Sequence, residues 1–172
     1  MQHVNCIVAM TPRRVIGNQQ RMPWTLLSDT ARFRKLTMGH PCILGWKTFM
    51  SIVEMLGRPL DGRDNIVLTR RAAAEVRRLG GIPMSSPEAA LVFAKHEKAE
   101  PFIIGGAQIY ERFMPRVTRL YLTLVYGDLA GDTYFPRLDT EDWTRVEGTL
   151  IPRDFHHPAD THETSFEILI RK

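Results

Sequence analysis

The sequence is short of cysteine. It has two in 172 residues, Cys6 and Cys42, both inside apolar runs and neither at the spacing of a redox or zinc motif. A disulfide scaffold is therefore excluded, and both thiols are expected to be reduced and buried. Long hydrophobic runs are missing too, since none approaches the roughly 18 apolar residues of a membrane span. The opening residues, Met-Gln-His-Val-Asn-Cys, lack a positive segment leading into a long apolar one. No signal peptide is expected, and the protein should be cytoplasmic. There is no repeat, low-complexity tract or linker, so residues 1–172 read as one domain and a monomer is expected. Charge is not gathered into blocks: the net charge is +4 and the pI about 9.3. That balance suits small anionic ligands. No aromatic stripe interleaves with Arg or Lys, so no nucleic-acid partner is expected. His156, His157 and His162 lie close together, but their spacing matches no usual ligand pair, and no metal is expected.

What is present is a hydrophobic content of 44%, enough for one continuous core. Short apolar runs at residues 3–10, Pro41–Gly45, Asn65–Thr69 and Pro101–Ile104 fit strands buried on both faces. Ile82-Pro83-Met84 fits a short edge strand, where proline is admitted. Between these strands lie helical stretches. One follows Trp24, with Ser28 or Thr25 as its cap, and ends at Gly39-His40-Pro41. A second runs from Gly45 to about Glu54. A third starts at Ser86-Pro87 and runs to about Glu97, and a fourth covers Ala107 to Met114. Residues 70–81 are basic and weakly patterned. Val117–Tyr126, Trp143–Leu150 and Glu163–Ile170 read as strands, with Thr164, Phe166, Ile168 and Ile170 facing one way. Strands alternating with helices and then strands alone predict an α/β fold. Its central sheet is mainly parallel with an antiparallel C-terminal end.

The chain is organised around residues 15–37. Gly17 and Pro23 shape a loop that a helix or central strand cannot cross. The loop is polar at Asn18, Gln19, Gln20 and Arg21, and anchored by apolar Ile16, Met22 and Trp24. That composition suits a lid. In the helix that follows, Asp29 sits one turn before Phe33, which puts a carboxylate on an apolar face. Farther on, Gly105-Gly106 ends a buried strand and opens a helix. Glycine lets backbone approach a phosphate closely, and a helix N-terminus offers free N–H groups and partial positive charge. Gly45-Trp46-Lys47-Thr48 offers a second such junction. The pyrophosphate of a dinucleotide fits between two of them. This is not the Rossmann fingerprint, which needs a third glycine and a later acid.

The order Val15-Ile16-Gly17-x4-Met22-Pro23-Trp24-x4-Asp29-x3-Phe33-x3-Thr37 closely resembles the signature of the dihydrofolate reductase family, bacterial type. The resemblance runs nearly end to end. It takes in Gly45-x2-Thr48, Gly57-Arg58-Pro59-Leu60-x2-Arg63-x-Asn65, Ile104-Gly105-Gly106-x3-Tyr110, Tyr121-Leu122-Thr123 and Gly131-Asp132-Thr133. It implies the dihydrofolate reductase-like fold with about four helices. It also implies NADPH-dependent reduction of 7,8-dihydrofolate to tetrahydrofolate, and competition by antifolate inhibitors such as trimethoprim and methotrexate. Asp29, Trp24, Met22 and Thr123 are then the catalytic set. Ile7, Val8, Thr30, Phe33, Ile104 and Tyr110 surround the pterin and benzoyl parts, with Ile52 and Leu60 as further wall. Arg63 meets the α-carboxylate of the glutamate tail, with Arg34 and Arg58 at the rim.

For the cofactor, the resemblance implies Ala9, Ile16, Gly17, Asn18 and Gln20 on the lid side. Gly45, Trp46, Lys47 and Thr48 lie at one helix start, and Ile104, Gly105, Gly106, Ala107, Gln108, Ile109 and Tyr110 at the other. Leu68, Thr69, Arg70 and Ser85 lie toward the adenosine, with Thr69 and Arg70 beside its 2′-phosphate, and Thr133 beyond the lid. Trp46 and Gln108 stand where many bacterial relatives carry arginines, so phosphate binding falls more on Lys47, Arg70 and Arg71. Ile52 to Leu56 lengthen the segment before Gly57, and this alters the wall beside the substrate tail. Leu27 and Thr30 depart from the commoner residues at the pterin pocket, so altered antifolate affinity is a further expectation, with an antifolate-insensitive variant as one alternative. The competing readings are a related reductase of another pterin or pyrimidine, and a catalytically silent nucleotide-binding module. Met22-Pro23-Trp24, Asp29 and Arg63 together disfavour the first. An intact Asp29 and Gly105-Gly106 disfavour the second.

Overall fold

The computed structural model describes residues 3–96 and 99–172. β1 (Asn5–Met10) leads through the short β2 (Val15–Gly17) to α1 (Leu27–Thr37). β3 (Cys42–Gly45) runs straight into α2 (Trp46–Leu56), and β4 (Asn65–Leu68) is followed by α3 (Ala73–Arg78). β5 (Ile82–Met84), α4 (Pro87–His96), β6 (Phe102–Gly105) and α5 (Ala107–Phe113) complete the alternating part. The rest is β7 (Arg119–Val125), β8 (Thr133–Tyr134), β9 (Trp143–Arg145), β10 (Ile151–Asp154) and β11 (Thr164–Arg171). No helix among the described residues is long and apolar enough to cross a membrane.

The main sheet has the order β10-β11-β7-β1-β6-β3-β4-β5, with β9 also paired to β11. β1 is parallel to both β6 and β7, and the pairs out to β5 are parallel as well. β11 is antiparallel to β7. The two-residue period of a strand sorts its side chains between two layers. Cys6, Val8 and Met10 pack on one face with Ala90 and Ala94 of α4 and with Ile109, Tyr110 and Phe113 of α5. Ile7, Leu44 and Val67 pack on the other with Phe33 and Leu36 of α1, Phe49 and Ile52 of α2 and Val76 of α3. Coverage on both faces is why these strands read as continuous apolar runs. Cys6 and Cys42 are free and fully buried, and burial pushes the Cys42 thiol up to about 12.

Several expectations are corrected. The basic segment 70–81 contains α3, a helix held to the core through one buried residue, Val76, which is too little apolar pattern to announce it. α2 runs to Leu56 rather than Glu54. The extra residues are its last turns, with Met55 and Leu56 exposed, and the chain stops at Gly57 in a left-handed conformation. The strand expected over Trp143–Leu150 ends at Arg145, because Thr149 folds back on the Val146 carbonyl through its amide and hydroxyl. β2 and β8 were not foreseen: they pair only with each other. In β11 the register is unbroken, with Phe166 and Ile168 in one layer and Leu169 in the opposite one, and Ile170 at the strand's end is 36% exposed. The third helix does begin at Pro87 with Ser86 Oγ accepting from the Ala89 amide. Its expected end at Glu97 lies outside the described residues.

Candidate active site

The carboxyl ends of β1, β3, β4, β6 and β7 point the same way, and in open α/β sheets the crevice beyond such ends receives ligands. α1 carries Asp29 into this region. Thr123 of β7 donates from Oγ1 to Asp29 Oδ1 at 2.6 Å. Arg32, one turn along the helix, brings NH1 to 3.5 Å from the same oxygen. The Asp29 side chain keeps 24% of its surface exposed, so one side of the carboxylate is open to a ligand. Burial raises its carboxyl above the ordinary value, against the Thr123 hydrogen bond and the Arg32 charge, which lower it, while Asp160 adds to the rise. Next to it the backbone carbonyl of Ile7 accepts the Tyr110 hydroxyl at 2.9 Å. Burial, with the nearby Cys6 and Asp29, holds that phenol well above its usual range, so it stays a donor. Ile7, Ile104, Phe33, Ile52 and Leu60 share one apolar layer, whereas the Val8 side chain packs in the other. Thr30 is exposed and its hydroxyl donates back to the Leu26 carbonyl.

Neither expected cap holds α1. Leu26 occupies the N-cap position without a side-chain bond. Ser28 lies inside the first turn, and it is Asp160, from the loop before β11, that accepts the Ser28 amide at 3.2 Å and its hydroxyl at 2.5 Å. The adjacent Thr161 exchanges hydrogen bonds with the backbone of Thr25. A carboxylate at a helix N-terminus satisfies free N–H groups and meets the positive end of the dipole. The geometry that aims Asp29 is thus set by residues more than 130 positions away.

On the tail side, Arg63 is enclosed, with 2% of its side chain exposed. It donates to the Asp61 carbonyl, to Asp61 Oδ1 and to Thr37 Oγ1. A guanidinium has five N–H donors, so one on each terminal nitrogen is left over. Arg34 grips the same Asp61 with two bonds, at 3.2 and 3.0 Å. It is engaged with protein rather than free at the rim, whereas Arg58 is exposed.

On the far side of β1, two strand-to-helix junctions touch. A Cβ added at Gly106 would sit 3.3 Å from Thr48 Oγ1, and one at Gly45 would sit 3.1 Å from Ile109 Cγ1. Neither Gly45 nor Gly106 caps its helix with a side chain, so the first N–H groups of α2 and α5 remain available to an anion. Gly105 has φ +114°, a conformation that an L side chain avoids, and the bond to Gly106 is cis. Lys47, Arg70 and Gln108 are exposed around this cradle, and Ser85 follows β5 directly. Arg71 stacks its guanidinium 5.0 Å over the Trp46 ring. These features fit a dinucleotide with a charged phosphate end.

The loop between β2 and α1 is a small hairpin. Asn18 and Arg21 exchange backbone hydrogen bonds, and Gln19 and Gln20 between them both have positive φ. That is the geometry of a two-residue turn of the primed type. Asp132 holds it, accepting the Gln19 amide at 3.0 Å and donating its own amide to the Gly17 carbonyl. Trp24 is buried with Leu26 and Val125, with Ala9 packed against them. Met22 is 60% exposed and does not anchor the loop as expected.

The family model described as dihydrofolate reductase matches residues 3–171. The chain belongs to the dihydrofolate reductase family. It is 40% identical over 169 residues to the dihydrofolate reductase of Haemophilus influenzae, covering 96% of this chain and 97% of the relative. The dihydrofolate reductase of Bacillus subtilis is 37% identical over 164 residues, with 95% and 94% covered. A solved structure of dihydrofolate reductase from Enterococcus faecalis, complexed with NADP(H) and RAB-propyl, superposes with a TM-score of 0.82. It shares 28% identity, over 99% of this chain and 96% of that one.

Within the dihydrofolate reductase family pattern the sequence carries no announcement of Arg32 or Asp160, and it presents Ser28 only as a cap. The signal for Arg32 lies outside that pattern, in its three-residue spacing from Asp29. Asp160 carried no local signal, because its partner is remote in sequence. Near the C-terminus, His156 Nε2 meets the Thr164 carbonyl and His157 Nδ1 accepts the Ala159 amide. Among the described residues no group of three or more His, Cys, Asp or Glu is arranged to hold a metal.

Proposed function

We infer that the chain reduces 7,8-dihydrofolate to 5,6,7,8-tetrahydrofolate with NADPH, and that Asp29 is the residue around which substrate is oriented. Family membership supports the reaction. The observation that carries the site is the partly buried carboxylate of Asp29, held by Thr123 with one side open, at the carboxyl end of the sheet. The pterin presents two neighbouring donors, its 2-amino group and ring N3. One carboxylate accepts both, orients the ring and favours positive charge on it. The Ile7 carbonyl, already polarised by Tyr110, faces the same end of the ring, and antifolates with an amino group there compete for these acceptors.

NADPH, when bound, supplies the hydride that C6 of the pterin receives. Gly45, Thr48, Gly106 and Ala107 hold its pyrophosphate through backbone N–H groups and the Thr48 hydroxyl. Lys47, Thr69 and Arg70 take the 2′-phosphate, and Arg71, braced on Trp46, adds the charge missing at Trp46 and Gln108. The Gly17–Trp24 loop closes over the nicotinamide and keeps water from the transfer step. N5 of the pterin must gain a proton. Asp29 raises the affinity of the ring for it, and water delivers it. Residues 1–172 act as one monomeric domain in the cytoplasm.

The test is loss of nicotinamide absorbance on mixing protein, NADPH and dihydrofolate. Asp29→Asn keeps the shape and removes the charge. It should slow hydride transfer at neutral pH by about a hundredfold or more, with partial recovery in acid. A near-native rate at neutral pH would refute the role of Asp29.

A further inference from the structure

Asp29 is bracketed from two sides by a single pair of strands. Thr123 of β7 and Phe166 of β11 are direct cross-strand partners, so their side chains rise from the same face of the sheet. Thr123 donates to Asp29. Phe166 supports Arg32, whose guanidinium carbon lies 4.5 Å over the centre of the ring. Arg32 in turn brings NH1 to 3.5 Å from the oxygen that Thr123 holds.

This is not an ordinary helix-surface pair, in which both partners stay in solvent. The Arg32 side chain is 16% exposed, and NH1 is buried without a hydrogen-bond partner. A guanidinium is costly to enclose with a donor unmet. Asp29 is its ion-pair partner among the described residues. Had the position served only packing, an apolar side chain would fill the space over Phe166 at no such cost.

We propose that Arg32 is the built-in counter-ion of Asp29, a positioning residue that keeps the carboxylate charged and fixed against the β7–β11 face. The proposal rests on the reaction assigned above through its kinetic consequence alone. The charges facing Asp29 are few. Arg32 comes from its own helix, Asp160 from the loop before β11, and the Tyr110 phenol from α5. Asp160 itself faces His157. Of these, Arg32 is the one that favours the ionised carboxylate, and it works against burial and Asp160. Burial lowers the guanidinium from its ordinary value, with Asp29 and Asp160 opposing, yet arginine remains a cation throughout the working range.

The experiment follows the Asp29 carboxyl by carbon NMR as pH is varied, in the intact protein without ligand. Arg32→Gln removes the charge and keeps a polar side chain of similar reach. Its midpoint should rise by about one pH unit. Arg32→Lys should restore most of the native midpoint. Phe166→Leu keeps both charges but takes away the platform, and should shift the midpoint in the same direction by less. In single turnovers with NADPH and dihydrofolate, the midpoint of the hydride rate against pH should also rise in Arg32→Gln. Loss of a nearby cation raises the proton affinity of any group within reach, carboxylate or pterin alike. An unmoved carboxyl midpoint in Arg32→Gln overturns the pairing. A carboxyl that moves while the kinetic midpoint stays put overturns the positioning role. If the unmodified chain fails to oxidise NADPH with dihydrofolate, the assigned reaction falls, and the NMR titration still decides the pairing.

Discussion

At the scale of single residues, the site holds a charge where the fold alone would choose none. Because burial raises the Asp29 carboxyl, its contribution to stability is fully present below the unfolded value and is lost as pH rises through the folded one. Asn at this position resembles the protonated acid. Asp29→Asn should therefore unfold at higher denaturant than the native chain at neutral pH, by about 1 kcal/mol, as is common when a strained functional group is relieved. The difference should vanish in acid, and urea titrations at two pH values check both. Arg63 makes a different prediction. Its remaining donors lie far from the reacting atoms, so Arg63→Leu should raise KM for dihydrofolate about thirtyfold, near 2 kcal/mol, with a smaller change in kcat. An unchanged KM would put the glutamate tail elsewhere. Residues of this kind were legible in the sequence because they stand in dense local patterns, Asp29 between Pro23 and Phe33 and Arg63 between Leu60 and Asn65. Arg34 was legible as a cation, but its pairing with Asp61 depends on a loop that the helix pattern does not contain.

At the scale of elements, legibility followed how each segment earns its conformation. β1, β3, β4 and β6 are buried on both faces, and continuous apolar runs give them away. α3 and the β2–β8 pair depend on partners distant in sequence, so their own residues say little. The start of α1 belongs with them. Thr25 and Ser28 are good cap residues, but the cap is Asp160. Asp160→Ala should cost about 1 kcal/mol, the usual loss of a cap. Burial alone would raise the Asp160 carboxyl, but the Ser28 hydroxyl and amide outweigh it and hold the group below its ordinary value. Its stabilisation is therefore present above the unfolded value and lost as pH falls through the folded one. The deficit of the variant, read from thermal melts, should be full at neutral pH and shrink in acid. A deficit independent of pH would mean that the carboxylate does not cap the helix.

At the scale of the whole molecule, the cradle proposed for the cofactor joins α2 and α5, on opposite layers of the sheet, at one point above β3 and β6. A ligand seated there bridges both layers and binds only the folded chain. NADP+ at a hundred times its dissociation constant should stabilise by about 2.7 kcal/mol. For a chain of this size that is a rise in Tm of about 5 to 10 °C, measurable by calorimetry. No rise would argue against the cradle. The position of β11 has a consequence of another kind. It is the last strand in the sequence, yet it lies inside the sheet, zipped to β7 on one edge and to β9 and β10 on the other. A ribosome delivers the chain from its N-terminal end. Until residues 164–171 emerge, β7 presents an open edge, β9 and β10 have nothing to pair with, and Phe166 is not yet under Arg32. The nascent protein is therefore most exposed to sticking, and to capture by chaperones, just before synthesis reaches these eight residues. The same insertion that closes the sheet completes the surroundings of Asp29.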